Sequence, residues 1–285
     1  MNYENCTLCP RMCGVDRTKN QRGYCGGGDR AVVSKWMLHH WEEPALAGSS
    51  GSGAIFFGGC TLGCRYCQNA AISRAPHGEE MDGQGLRRIM EDLIAQGAEN
   101  IDLVTPSHYL PTILEALQTP VSVPVVYNCG GYEKEETLER LKGKVDIFLP
   151  DLKYGSNALG KELSFAPDYF EVATKAILKM AQLVGNITYQ GEKLTKGVVI
   201  RHLILPGQVE NSLKVLDWIG EHFAPGQVLV SLMAQYTPMP GMSAPYDRKI
   251  TQEEYDSVLS WMYLNDLQGF TQSPEAADSI YIPNF

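Results

Sequence analysis

Residues 58–69 read Gly58-Gly59-Cys60-Thr61-Leu62-Gly63-Cys64-Arg65-Tyr66-Cys67-Gln68-Asn69. A short apolar run over 54–57 precedes them, so the cysteines leave a strand on a loop. Three cysteines within eight residues suit three corners of a cubane iron–sulfur cluster, and Gly58, Gly59 and Gly63 let the backbone bend around it. One iron is then left without a local protein ligand. An open position is what a catalytic metal site needs and a structural one avoids. A zinc loop borrowing a ligand from elsewhere, or a set of buried thiols, is the plainer alternative.

Outward from this loop, short apolar runs alternate with helical periodicity, the pattern of βα units and a parallel sheet. Strands are predicted over 54–57, 101–105, 123–127, 145–149, 198–205 and 228–233. Leu86, Ile89, Met90, Leu93 and Ile94 share one helical face, as do Phe170, Ala173, Ile177, Met180 and Val184. Helices are also predicted over 109–118, 134–142 and 209–222, and from Thr251, where Thr251 and Glu254 have capping-box spacing. Six βα units are too few for a closed eight-stranded barrel. The predicted fold is therefore α/β, an open partial (β/α)6 barrel over 54–285 with an irregular tail after Gln268. A cysteine-rich metal-binding segment and linker occupy 1–53, the linker running through Trp36, His39, His40 and Trp41 to Ser49-Ser50-Gly51-Ser52-Gly53.

At 285 residues and 44% hydrophobic composition the chain has material for one large core. A formal charge of -9 disfavours a general nucleic-acid binder, which needs a basic face. Apolar runs fall short of a membrane span, and the N-terminus lacks the basic and apolar regions of a signal peptide, so a cytoplasmic location is expected. There, eight cysteines read as metal ligands or catalytic thiols before disulfides. Cys6, Cys9, Cys13 and Cys25 form one group, Cys60, Cys64 and Cys67 another, and Cys129 stands alone.

The spacing C-x3-C-x2-C, with an aromatic residue before the last cysteine, resembles the signature of the radical S-adenosylmethionine (SAM) superfamily. The resemblance implies a [4Fe–4S] cluster on Cys60, Cys64 and Cys67 and SAM chelated to the open iron. Reductive cleavage of SAM would yield a 5′-deoxyadenosyl radical that abstracts hydrogen from substrate, the cofactor carrying the hard chemistry. Over 54–240 the chain is most similar to the pyruvate formate-lyase activating enzymes, and Cys6-Thr7-Leu8-Cys9-Pro10-Arg11-Met12-Cys13-Gly14 resembles the CxLCPRxCG motif of an uncharacterised branch of them.

That likeness extends to the SAM site. Leu149-Pro150-Asp151-Leu152-Lys153 is similar to the hydrophobic-x-Asp-Leu-Lys motif that contacts SAM, and Ile200-Arg201-His202-Leu203 resembles the segment that places an arginine on the fifth strand. A carboxylate such as that of SAM satisfies an arginine fork bidentately, whereas a surface ion pair is the plainer role for Asp151 and Lys153. Tyr127-Asn128-Cys129-Gly130 stands where activating enzymes carry Asp-Thr-Asn-Gly, so Asn128 puts a monovalent cation beside SAM in question, and Cys129 reads first as a small buried hydrophobe. The Gly-Gly-Glu that receives the SAM amino group in many relatives is replaced by Val104-Thr105-Pro106-Ser107-His108, leaving Thr105 and Ser107 to that task. His108 suits a ligand contact or a helix start, and His202 falls on the opposite strand face from Arg201.

Cys6, Cys9, Cys13 and Cys25 give four soft ligands in a segment with no core of its own, compatible with zinc or an iron–sulfur cluster. The leading function is a radical SAM enzyme, an oxidoreductase resembling glycyl-radical-enzyme activating enzymes, that abstracts hydrogen from a protein or peptide. A metabolite substrate is the second reading and a non-enzymatic iron–sulfur electron carrier the third. The resemblance implies a reductant such as flavodoxin or ferredoxin, while net charge and the short apolar runs give no nucleic-acid or membrane partner.

Overall fold

The computed structural model describes residues 2–273. Its elements, in chain order, are β1 (Ala31–His39), α1 (Pro44–Ala47), β2 (Ser52–Phe57), α2 (Ala70–Ser73), β3 (Glu79–Met81), α3 (Gly83–Ala95), β4 (Ile101–Val104), α4 (Leu110–Ala116), β5 (Val125–Cys129) and α5 (Glu135–Glu139). They continue as β6 (Ile147–Pro150), α6 (Asn157–Ser164), α7 (Tyr169–Val184), β7 (Thr188–Gln190), β8 (Lys193–Leu203), α8 (Val209–His222), β9 (Leu229–Met233), α9 (Gln252–Leu264) and β10 (Gly269–Thr271).

The sheet runs β10-β9-β8-β6-β5-β4-β2-β1-β3, with β7 paired to β8. From β2 to β10 along this path every pairing is parallel, while β1 is antiparallel to β2 and to β3. This is the unclosed α/β barrel expected from the alternating pattern, with each expected strand in place. The expected amphipathic helices pack outside it: Leu86, Met90 and Leu93 of α3, and Ala173, Ile177 and Met180 of α7, are fully buried or nearly so. The capping box at Thr251 is present, Thr251 Oγ1 accepting from the Glu254 N–H at 3.2 Å and Glu254 accepting from the Thr251 N–H at 2.8 Å. No helix among the described residues is long and apolar enough to cross a membrane.

Four strands lie outside the predicted set, the short β3 and β7 and two on stretches read otherwise, β1 and β10. Part of the expected 1–53 segment and linker is β1, nine residues between β2 and the three-residue edge strand β3. Its middle, Ser34 to Leu38, is only partly covered, so Lys35 and Trp36 interrupt the apolar alternation that marks a buried strand. The expected irregular tail contains β10, which extends the parallel sheet through Gly269–Thr271, and positions 274–285 lie outside the described residues. Glycine at 269 and a single half-covered residue, Phe270, leave that strand no pattern to read.

Inside the barrel, strand alternation sorts side chains by height. Val126, Ile147, Leu149, Val199 and Leu229 pack together with Leu46 of α1, which closes the end where the strands begin. Two residues further along the same strands come Asn128, Asp151, Arg201 and Ser231. A period of two thus sets a polar layer directly above an apolar one.

Candidate active site

The polar layer forms the floor of a cavity of about 230 Å³ at the carboxyl ends of the strands. Asn128, Asp151, Lys153 and Arg201 line it together with Cys64, Cys67 and Tyr66 of the loop after β2. Arg201 is the hub. Its Nε donates to Asp151 Oδ1 at 3.1 Å, Nη2 donates to Asn128 Oδ1, and Nη1 lies 3.6 Å from Glu42 Oε2. Lys153 pairs with the other oxygen of Asp151. Burial alone would raise the Asp151 carboxyl, but Lys153 and Arg201 hold it below its usual range. Burial would lower Lys153, yet Asp151 and the Cys64 sulfur keep its ammonium charged above the ordinary value.

The loop presents its cysteines with local support. Each of the three sulfurs has a hydrogen-bond partner: Leu62 N–H donates to Cys60 Sγ at 3.3 Å, Ser164 Oγ donates to Cys64 Sγ at 2.9 Å, and Ser73 Oγ meets Cys67 Sγ at 3.4 Å. Tyr66, the aromatic residue before the last cysteine, extends the second contact into a hydroxyl chain, bonding Tyr154 at 2.8 Å, which bonds Ser164 at 2.6 Å. Gln68 fastens the loop to the Gln235 carbonyl beyond β9 at 3.0 Å. Gly59 adopts φ +87°, and a Cβ there would run into the Cys25 carbonyl, so glycine is needed where the N-terminal segment meets the cluster loop.

Burial pushes the Cys60 thiol far above its usual range, with the Cys64 and Cys67 charges adding to it, and burial raises Cys64 as well. Bare thiolates are therefore disfavoured here. Three sulfurs on one loop, each with a hydrogen-bond partner and lying beside the Lys153 ammonium, are donors of the chemistry that an iron–sulfur cluster takes, whose irons take up thiolate charge.

Other residues singled out in the sequence go elsewhere. Thr105 and Ser107 do not line the cavity: Thr105 has φ +60° with its N–H on the Asn128 carbonyl at 2.8 Å, and buried Ser107 donates to Glu133 on the outer face of the sheet. His108 is buried against the Gly58 carbonyl at 2.8 Å, and burial lowers its imidazole to about 3, so it acts as a neutral packing residue. His202 is likewise buried, bonded to the Leu152 carbonyl at 2.7 Å and Ser212 at 2.9 Å. Cys129 is 2% exposed on the face opposite Asn128, the small buried residue of the plainer reading.

Glu42 and Asp102 join the charged layer without having been singled out. Burial raises Asp102 to about 6, against Arg201 and Asn128, and raises Glu42 further, with Asp102 and Glu43 adding to it. Asp102 had a signal, a carboxylate inside the apolar run Ile101-Asp102-Leu103-Val104 on the same face as Val104. Glu42 had none, because it reaches the barrel from the segment after β1.

The N-terminal segment packs on this end of the barrel. Arg11 bonds the Thr61 carbonyl at 2.9 Å and the Phe165 carbonyl at 2.6 Å, and lies 3.8 Å over the Tyr24 ring. Arg17, 1% exposed, bonds the His108 carbonyl at 2.6 Å. Burial pushes Cys9 up to about 12, with Cys25 and Cys13 near enough to contribute, and burial raises Cys25, with Cys6 and Cys13 adding to it. Among the described residues no three His, Cys, Asp or Glu side chains converge on one ion, neither these cysteines nor Cys60, Cys64 and Cys67.

The family model of the radical SAM superfamily matches residues 54–219. The chain belongs to the radical SAM superfamily. A [4Fe–4S] cluster and SAM follow from that membership. The chain is also 29% identical over 269 residues to an uncharacterised protein of Methanocaldococcus jannaschii, covering 90% of this chain and 74% of that one. Among solved structures it is similar to Streptococcus suis SuiB bound to precursor peptide SuiA, with TM-score 0.51, 14% identity, and coverage of 75% of this chain and 46% of that one. HydG, a maturase of the [FeFe]-hydrogenase, is similar with TM-score 0.53, 14% identity, and coverage of 78% and 52%. This chain thus spans about half the length of those two structures, and at such identity the likeness is one of fold.

Proposed function

We propose that the chain cleaves SAM reductively at a cluster held by Cys60, Cys64 and Cys67, and uses the cleavage to abstract hydrogen from a protein or peptide, in the manner of an activating enzyme. The observation that carries this reading is the placement of Cys64 and Cys67, on the same loop as Cys60, on the rim of a cavity floored by Asn128, Asp151, Lys153 and Arg201. A bound cluster supplies the electron that breaks the carbon–sulfur bond of SAM. The chain's own residues position the cosubstrate: Arg201 and Lys153 offer charge-assisted donors to the SAM carboxylate, while Asp151 keeps both cations fixed between turnovers. Apolar Phe56, Val104 and Leu203 line the same cavity and limit water around the reacting bond.

The N-terminal cysteines are assigned a second metal, zinc or iron–sulfur, with a structural role. Supporting this are the burial of Cys6 and Cys9 and the direct packing of Arg11 on the cluster loop. The test of the catalytic reading is anaerobic incubation of reconstituted, reduced protein with SAM, following 5′-deoxyadenosine release. Release that a candidate protein or peptide stimulates is the expected result. A reconstituted cluster that never cleaves SAM would leave an electron carrier as the better reading.

A further inference from the structure

The Cys64 sulfur is held differently from those of Cys60 and Cys67. Gly63 N–H donates to the Ser164 carbonyl at 3.4 Å and Arg65 N–H to the Leu163 carbonyl at 2.8 Å, so the loop is fastened to the last turn of α6 on both sides of Cys64. Arg11 grips the same two pieces. Its guanidinium donates to the Thr61 carbonyl at 2.9 Å, the Phe165 carbonyl at 2.6 Å and the Ser164 carbonyl at 3.4 Å. Between those bonds the Ser164 hydroxyl lies 2.9 Å from Cys64 Sγ, closer than the contacts of Cys60 and Cys67 at 3.3 and 3.4 Å.

Behind Ser164 stand two more hydroxyls, Tyr154 at 2.6 Å from Ser164 Oγ and Tyr66 at 2.8 Å from Tyr154. Each hydroxyl has one proton to donate. A Cys64 thiolate bound to iron can only accept, so Ser164 donates to it, Tyr154 donates to Ser164, and Tyr66 donates to Tyr154. All three protons therefore point toward the sulfur. Ser164 and Tyr154 are fully buried and Tyr66 is 6% exposed, so bulk water does not compete and each bond polarises the next. The Lys153 ammonium acts on the same sulfur. Reduction of an iron–sulfur cluster adds negative charge that its sulfurs share, and donors to those sulfurs stabilise the reduced form more than the oxidised one.

We propose that Ser164, Tyr154 and Tyr66 are positioning residues that act through Cys64 as one hydroxyl chain, raising the reduction potential of the cluster and easing its loading by a one-electron donor. It rests on the radical SAM reading of Cys60, Cys64 and Cys67, and it names the residues that set electron uptake at that site. The backbone bonds of Gly63 and Arg65, with the Arg11 clamp, hold the chain in register with the sulfur.

The test is an anaerobic redox titration of the full-length reconstituted protein without SAM, following the electron paramagnetic resonance signal of the reduced cluster. Ser164→Ala should move the potential to more negative values. Tyr154→Phe should move it the same way by less, and Tyr66→Phe by less again, because each lies one bond further from the sulfur. Tyr236→Phe is the control: its ring lies 5.9 Å from that of Tyr66, but its hydroxyl donates to the Tyr246 carbonyl at 2.7 Å, outside the chain, so the potential should keep its wild-type value. Tyr154→Phe serves if Ser164→Ala does not assemble a cluster. A wild-type potential in Ser164→Ala or in Tyr154→Phe, a move to more positive values in either, or an equal shift in Tyr236→Phe would overturn the proposal. The potential is read without SAM or turnover, so unshifted potentials in a protein that releases 5′-deoxyadenosine defeat the hydroxyl chain alone, whereas a wild-type protein that assembles no cluster defeats the reading beneath it.

Discussion

Arg201 and Lys153 meet at Asp151, and their removal separates a binding role from a purely structural one. A charge-assisted hydrogen bond contributes about 1.5–3 kcal/mol, so Arg201→Ala or Lys153→Ala should weaken SAM binding by roughly ten- to a hundredfold in equilibrium dialysis. Unchanged affinity with a lowered melting temperature would mean that the pair serves only the barrel. Replacing Cys60, Cys64 and Cys67 together with alanine should abolish 5′-deoxyadenosine release, and persistent release would refute the ligand assignment. Glu133 carries a pH prediction. Burial holds its carboxyl up at about 7, although Ser107, Tyr127 and Cys129 donate to it, while in the unfolded chain it titrates near 4.5. Folded protein therefore binds this proton more tightly, so the stabilising contribution is complete below about pH 4.5 and is lost as pH rises through 7. Glu133→Gln should flatten that part of the decline, on the order of 3 kcal/mol, in melting temperature followed from pH 4 to 8.

At the scale of elements, the helix starting after Thr251 tests how much a local signal contributes. Thr251→Ala removes the acceptor for the Glu254 N–H and should cost about 1 kcal/mol in urea denaturation, with SAM affinity unchanged. The N-terminal segment poses a larger question. Ordering some thirty residues costs roughly 1–2 kcal/mol each, and a metal on thiolates supplies on the order of 10 kcal/mol. Serine at Cys6, Cys9, Cys13 and Cys25 should therefore speed proteolysis near residue 30 while the central cluster keeps its absorbance. A variant that resists protease but loses only substrate turnover would point to electron relay or docking. The long parallel strands and amphipathic helices were legible because both faces of a central strand, or one face of a helix, must be apolar. β1 and β10 were not, since strands at the margin of a sheet are partly covered and carry a weaker pattern.

Over the whole molecule, parallel strands point their carboxyl ends one way, so residues far apart in sequence gather at one mouth. Cys60, Cys64 and Cys67 were legible from ligand type and spacing within one loop, and Asn128, Asp151 and Arg201 from polar residues at the ends of apolar strands. These features are local, set by chain chemistry over a few residues, and amino-acid order is enough to carry them. Which candidates share a cavity is a different matter. Ser107 and Asn128 each stand near the end of a predicted strand, yet Asn128 lies inside the barrel and Ser107 outside it against Glu133. Glu42 enters the charged layer from beyond β1, and a gap beside it exists because the sheet curves without closing. Sheet curvature and the path of connecting segments depend on packing summed over the whole chain, so folding alone decides where these side chains meet.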